Sequence, residues 1–163
     1  MDRLKIRSGI GYDIHRIEAG QGLFIGGVIV SDTLRFRAHS DGDLLIHALI
    51  DSLLGAIGEK DIGRHFPDTD PRYKNIRSTR LLEKITELLK EKNIEIINID
   101  SVIIAEEPKL SPFIDSIRSN VASLLEIPTE DFNVKAKTSE KTGEVGRGEV
   151  MECYCIAMVR SRE

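Results

Sequence analysis

The sequence predicts an α/β subunit, a mixed β-sheet with helices packed on one face, in a single domain spanning residues 1–163. Three observations predict it. Segments that are rich in Ile and Val, or that alternate in polarity, recur at 94–105, 131–137 and 150–160. Stretches with apolar residues at helical spacing fall between them. A chain of 163 residues with a hydrophobic fraction of 40% is long enough for one core without disulfide or metal staples.

In order, residues 4–13 read as a first strand broken by glycines, and 22–37 as short strands around Gly26-Gly27, a hairpin. Ser40 is placed to cap a helix, with Asp43 three residues on, where the helix dipole favours an acid. That helix should run to about Ile57 and stop near Gly58. Residues 58–77 carry Gly, Pro, Asp and Asn with little periodicity and read as a long surface loop. Ser78 then caps a helix with Leu81, Leu82, Ile85, Leu88 and Leu89 on one face. After the strand at 94–105, Ser111-Pro112 opens another helix, whose apolar face is Ile114, Ile117, Val121, Leu124 and Leu125. In 131–137, Phe132, Val134 and Ala136 should point inward and Asn133, Lys135 and Lys137 outward. The last strand, about 150–160, is apolar on both faces, which suits a central strand or one buried at an interface.

Composition narrows the function. A net charge of −4 argues against a nucleic-acid partner, while leaving room for an anionic substrate held by local cations or metal ions. No run approaches the roughly 20 apolar residues of a membrane helix. The N-terminal residues show no apolar run of a signal peptide, so no membrane partner and a cytoplasmic location are expected. Cys153 and Cys155 sit two apart in an apolar alternating run and read as one packed face rather than a metal pair or a disulfide.

Four clusters carry possible chemistry. In Asp13-Ile14-His15, a carboxylate and an imidazole two apart share one face of a strand. In His39-Ser40-Asp41-Gly42-Asp43, followed by His47, a second imidazole stands one helical turn past Asp43. Asp13, His15 and His47 together make an N/O set that leaves a fourth position open, the pattern of catalytic zinc. Asp51, one turn beyond His47, is expected to hold the imidazole nitrogen that does not face the metal. Against this stand a chance D-x-H and a structural helix histidine. His65 is given no ligand role. The third cluster, Asp61-Ile62-Gly63 with Phe66-Pro67-Asp68-Thr69-Asp70, suits polyol hydroxyls or simply turn formation. The fourth, Lys137-Thr138-Ser139-Glu140-Lys141 running into a Gly-rich turn with Glu144 and Arg147, suits phosphate oxygens and a hard cation at Glu140, or an ordinary charged hairpin.

In this order, D-I-H, HSDGD-x3-H, DIG, FPDTD and T-x-E-K-x-G-x-x-GRGE closely resemble the 2-C-methyl-D-erythritol 2,4-cyclodiphosphate synthases of non-mevalonate isoprenoid synthesis. The resemblance runs from residue 8 to about 158. It implies a homotrimer with active sites between subunits. It implies that Asp13, His15 and His47 ligate zinc, that His39 and Thr138 support the transition state, and that Glu140 ligates a magnesium or manganese ion bridging the diphosphate. Ser40, Asp61, Gly63, Asp68 and Asp70 fall where the family holds the methylerythritol phosphate, and Ile14, Ile62, Phe66 and Thr69 are implied substrate contacts beside them. Ala105 to Ser111, including Pro108, Lys109 and Leu110, falls where it cradles cytosine. Ala136, Lys137, Ser139, Glu144 and Arg147 complete the implied contacts to a cytidine diphosphate substrate, and Lys137 stands where a hydroxyl residue is common. At Glu144 and Tyr154 some members carry Phe and Glu. With Arg147 these positions lie toward a central trimer cavity that holds an isoprenoid diphosphate in some members, and the departure predicts a different mode there. Two rivals are a metal-dependent phosphohydrolase, with water as nucleophile, and a non-catalytic trimer that binds CMP or an isoprenoid diphosphate.

Overall fold

The computed structural model describes residues 4–162. Its centre is a five-stranded mixed sheet in the order β4-β1-β7-β5-β6. The strands are β1 (Leu4–Ala19), β4 (Leu34–Phe36), β5 (Ile94–Ile104), β6 (Phe132–Lys137) and β7 (Val150–Arg162). A separate hairpin pairs β2 (Leu23–Ile25) with β3 (Val28–Ser31), turning through Gly26 and Gly27 at positive φ. The helices α1 (Leu44–Ile57), α3 (Ser78–Glu91) and α4 (Ile114–Leu125), with the short α2 (Ile62–His65) and α5 (Gly143–Gly146), complete the fold. The three long helices share one hydrophobic core with a single face of the sheet.

β1 is longer than expected and does not break at its glycines. Gly9 and Gly11 continue the pairing with β7 without interruption. Their function is spatial. A Cβ on Gly11 would stand 1.8 Å from the carbonyl oxygen of Ala48, and one on Gly9 would stand 2.1 Å from that of Ser52. The missing side chains therefore let α1 lie directly on the strand. α1 is apolar nearly all round, with Leu45, Leu49 and Leu53 fully buried. Each such side chain contributes about 1.5–3 kcal/mol of burial.

The helix starts differ from the sequence reading. α1 is capped by Asp43, not Ser40: the Asp43 carboxylate accepts from Ile46 N at 3.2 Å and also from Gly26 N and Gly27 N of the hairpin. Gly58 ends the helix in the left-handed region, as expected. Ser78 is the first residue of α3 rather than its cap, because its hydroxyl is taken by Asp41 from another segment. The loop at 58–77 contains α2 and a 3-10 turn at Pro71–Tyr73. The helix opened at Ser111 begins as a 3-10 turn before α4.

β7 lies between β1 and β5. Met151, Cys153, Cys155, Ala157 and Val159 are buried beneath the helices. The opposite face is open, and it is apolar: Ile6, Ile10, Tyr12, Tyr154, Ile156 and Met158 are all exposed. On β6, Phe132 and Val134 are buried but Ala136 is exposed, contrary to the alternation.

Candidate metal centre and its cavity

Asp13 and His15 project from β1 toward the helix side, in register with buried Cys153 and Met151. His47 projects from the first turns of α1 onto the same point. His15 Nδ1 and His47 Nδ1 lie 2.9 and 3.1 Å from Asp13 Oδ2. One ligand atom from each residue falls within 4.8 Å of the others. His15 Nδ1 is buried and makes no hydrogen bond, since Asp13 Oδ2 is off the line one requires. A buried nitrogen with an unused lone pair beside a carboxylate and a second imidazole is a donor set that a cation satisfies. The residues present fit a metal ion.

The electrostatics agree. Burial alone would raise the Asp13 pKa, but the close approach and charge of the His15 and His47 imidazoles outweigh it and lower the value. Burial would lower the His47 pKa, and the Asp13 hydrogen bond and charge, with Asp43 and Asp41 behind, raise it. Asp43 is fully buried, which pushes its carboxyl up to about 6 against the pull of its backbone N–H donors. Burial raises both thiols, Cys155 to about 12, so neither offers a thiolate to a metal.

Asp51 does not support His47. Its carboxylate accepts from Ile62 N at 2.8 Å. The far nitrogen of His47, Nε2, instead meets Ser78 Oγ at 2.9 Å. The α1 register points Asp51 toward α2, one turn too far along.

A cavity of about 950 Å³ opens beside His15 and His47, and Asp13 lies outside its lining. Of the sequence candidates, Ile14, His15, His39, Ser40, His47, Ile62, Gly63, Phe66, Asp68 and Thr69 line it. Asp61 and Asp70 do not. Asp61 caps α2 through Arg64 N, and Asp70 caps the 3-10 turn and grips the Arg72 guanidinium. Arg16, Arg37 and Lys74 also line the cavity, so an overall acidic chain presents three cations to a ligand there.

The remaining candidates gather elsewhere at the same end of the sheet. Asp13, Cys153, Ile103 and Ala136 form one row across four strands, which puts Ala136 three strand spacings, roughly 14 Å, from Asp13. Beyond Ala136, Thr138 Oγ1 donates to Glu140 Oε1 at 2.9 Å, and Glu140 and Lys141 both adopt positive φ. Lys141 N donates to Glu106 Oε1 and Ala105 N to Lys137 O, joining this turn to the segment Ala105–Ser111, where Glu107-Pro108 is cis. Leu110 is buried and Pro108 half-buried, while Lys109, Lys137, Thr138, Glu140, Glu144 and Arg147 are at the surface, and none lines the cavity. Ser139 Oγ donates to Thr142 O, inside its own turn.

Residues 6–160 match the YgbB family. The chain belongs to that family. This YgbB-family chain is 48% identical over 158 residues to the 2-C-methyl-D-erythritol 2,4-cyclodiphosphate synthase of Fusobacterium nucleatum, covering 97% of this chain and 99% of that one. It is 49% identical over 154 residues to the synthase of the same name from Nitrosomonas eutropha, covering 93% and 92%. Among solved structures it resembles the bifunctional IspDF of Campylobacter jejuni, with a TM-score of 0.93 and 39% identity over 98% of this chain, although it spans only 43% of the Campylobacter chain. It also resembles a CDP complex of Plasmodium falciparum IspF, with a TM-score of 0.85 and 35% identity over 97% of both chains.

Sequence reasoning missed Ser78 and the three cavity cations in this YgbB chain. Ser78 stands 31 residues from His47 with no motif linking them. Arg16 follows Asp13-Ile14-His15 directly and was the one with a local signal.

Proposed function

We propose that this chain converts 4-diphosphocytidyl-2-C-methyl-D-erythritol 2-phosphate to 2-C-methyl-D-erythritol 2,4-cyclodiphosphate and CMP, as a phosphorus–oxygen lyase of non-mevalonate isoprenoid synthesis. One observation carries the reading: the Asp13-His15-His47 donor set borders a cation-lined cavity in a chain 48% identical, end to end, to a synthase of that name.

The nucleophile belongs to the substrate. An oxygen of the 2-phosphate attacks the β phosphorus, the new P–O bond forms, and the bond from the β phosphorus to the bridging oxygen breaks. CMP leaves with that oxygen. The protein therefore aligns and neutralises rather than attacks. Holding the two ends of one molecule in line contributes about 7–11 kcal/mol toward the barrier. Asp13, His15 and His47 would hold zinc, and Glu140 would hold magnesium or manganese; bound there, the ions supply charge neutralisation to the phosphates. Arg16, Arg37 and Lys74 draw the anionic substrate into the cavity. His39 and Ser40, on its wall, hydrogen-bond phosphate oxygens, and Asp68 and Thr69 take the polyol hydroxyls. Thr138 with Lys137 faces the diphosphate from which CMP departs, and the Ala105–Ser111 segment holds cytosine through its backbone.

The proposal includes a cytoplasmic homotrimer with each site shared between subunits. Two features support it: the open apolar face of β1 and β7, and the placement of Thr138 and Glu140 outside the cavity that the donor set borders. Among the described residues no helix is long and apolar enough to cross a membrane. The test is His47→Ala: zinc content and cyclase turnover should both be lost, and retention of both would refute the assignment.

A further inference from the structure

We infer that Ser78 and Asp41 are positioning residues that lock His47 with its proton on Nε2, so that Nδ1 faces the metal. This rests on reading Asp13, His15 and His47 as a metal centre. Asp41 is surrounded by donors: Ser78 N reaches Oδ2 at 3.1 Å, Arg77 Nε stands 3.3 Å from the same oxygen, and Ser78 Oγ lies 2.5 Å from Oδ1. A carboxylate so placed only accepts. The single hydroxyl proton of Ser78 is therefore committed to Asp41, and what Ser78 turns toward His47 is a lone pair. His47 Nε2, 2.9 Å away, has to donate. Ser40 Oγ, at 3.5 Å from the same nitrogen, is too far to compete.

With Nε2 protonated, the metal-ready imidazole presents its lone pair from Nδ1, the atom 3.1 Å from Asp13 Oδ2 and on the same side as the unsatisfied His15 Nδ1. The relay is rigid. Ser78 is fully buried, and its backbone is fixed as the first residue of α3. Asp41 contributes twice, since the carboxylate that orients the hydroxyl also sits at the N-terminus of the 14-residue α3, where the helix dipole favours an anion. One carboxylate thereby links the start of α3 to a ligand on α1.

The experiment is long-range proton–nitrogen NMR on the full chain loaded with Zn2+ alone, together with Zn2+ affinity by chelator competition. In the wild type the His47 pattern should show a proton on Nε2 and zinc on Nδ1. Ser78→Ala should weaken Zn2+ binding about 10–100-fold, the usual cost of losing a ligand's supporting partner. Asp41→Asn, whose amide can donate to Ser78 and reverse the relay, should weaken it similarly and move metal-free His47 toward the Nδ1–H tautomer. Ser78→Thr, which keeps the hydroxyl, should restore most of the affinity. Melting curves in chelator separate misfolding from a site effect. A wild-type spectrum with zinc on Nε2 overturns the inference, whatever the variants do. So does Ser78→Ala with Zn2+ affinity within twofold of wild type. A wild type that binds no Zn2+ at all would instead refute the metal centre itself.

Discussion

Gly11→Ala is a severe test of how the site is built, because the change is one methyl group. The new Cβ would stand 1.8 Å from Ala48 O and 2.9 Å from Ser52 N. An ordinary contact begins near 3.4 Å, so strand and helix must part by about 1.6 Å. Both sides of the clash are backbone, and neither can rotate away. Overpacking of this kind costs about 1–3 kcal/mol, and a backbone clash belongs at the upper end. For a chain of this length that lowers Tm by about 6–12 °C. The displacement also reaches the metal centre. Asp13 is two residues along β1 from Gly11, and His47 immediately precedes Ala48 on α1. Metal–ligand distances tolerate about 0.2 Å, so Zn2+ affinity should fall together with Tm. Gly55→Ala is the internal control: a Cβ there meets Gly9 Cα at 3.7 Å, an ordinary contact. The better helix propensity should then stabilise α1 by about 0.5–1 kcal/mol. Thermal melts and chelator competition on the two variants read both effects. A Gly11→Ala protein within 2 °C of wild type and with unchanged Zn2+ affinity would refute the close packing of α1 on β1.

Other perturbations follow from the same geometry. His47→Ala should lower Zn2+ affinity by more than the roughly 100-fold that losing a supporting partner costs, measured by chelator competition. In the metal-free chain, the raised His47 pKa means that its pairing with Asp13 stabilises the fold fully below the ordinary imidazole value, and that this is lost as pH rises through the raised value. Zinc reverses the sign, because it must displace a proton; the Tm gain on adding Zn2+ should grow from pH 5.5 to 7.5, and a flat gain would contradict the site chemistry. The lowered Asp13 pKa contributes stability present above the ordinary carboxylate value and lost as pH falls through the lowered one, visible as an acid limb in metal-free melts. Ile10→Lys with Ile156→Glu places charge on the open sheet face, and sedimentation should show the proposed trimer reduced to single subunits that keep their helical circular dichroism.

What the sequence disclosed and what it hid divide by distance along the chain. The amphipathic face of α3, the alternation of Phe132 and Val134, and the shared face of Asp13 and His15 are local periodicities, and each is seen in the structure. The apolar outer face of β7 was legible for the same reason. Most of the misreadings concern partners that are remote in sequence. Ser40 and Ser78 look like caps because a serine before an apolar run usually is one. Here Asp43 takes the first role, and Asp41 claims the second hydroxyl from 37 residues away. Gly9 and Gly11 look like breaks because glycine weakens a strand, but their use lies in α1, about 40 residues later. Asp51 has the right spacing for the face of His47, yet the N–H of Ile62 lies nearer. The family motifs carried the remaining candidates, and a cavity built from β1, α1 and the 58–77 segment could not be drawn from any one of them.

The most direct test is a single-turnover reaction: purified chain, Zn2+ and Mg2+ with 4-diphosphocytidyl-2-C-methyl-D-erythritol 2-phosphate, followed by phosphorus NMR. Stoichiometric CMP with a cyclic diphosphate is the predicted result. A linear diphosphate or free phosphate would make water the nucleophile, and CMP binding without turnover would make the chain a binding protein; either would contradict the account.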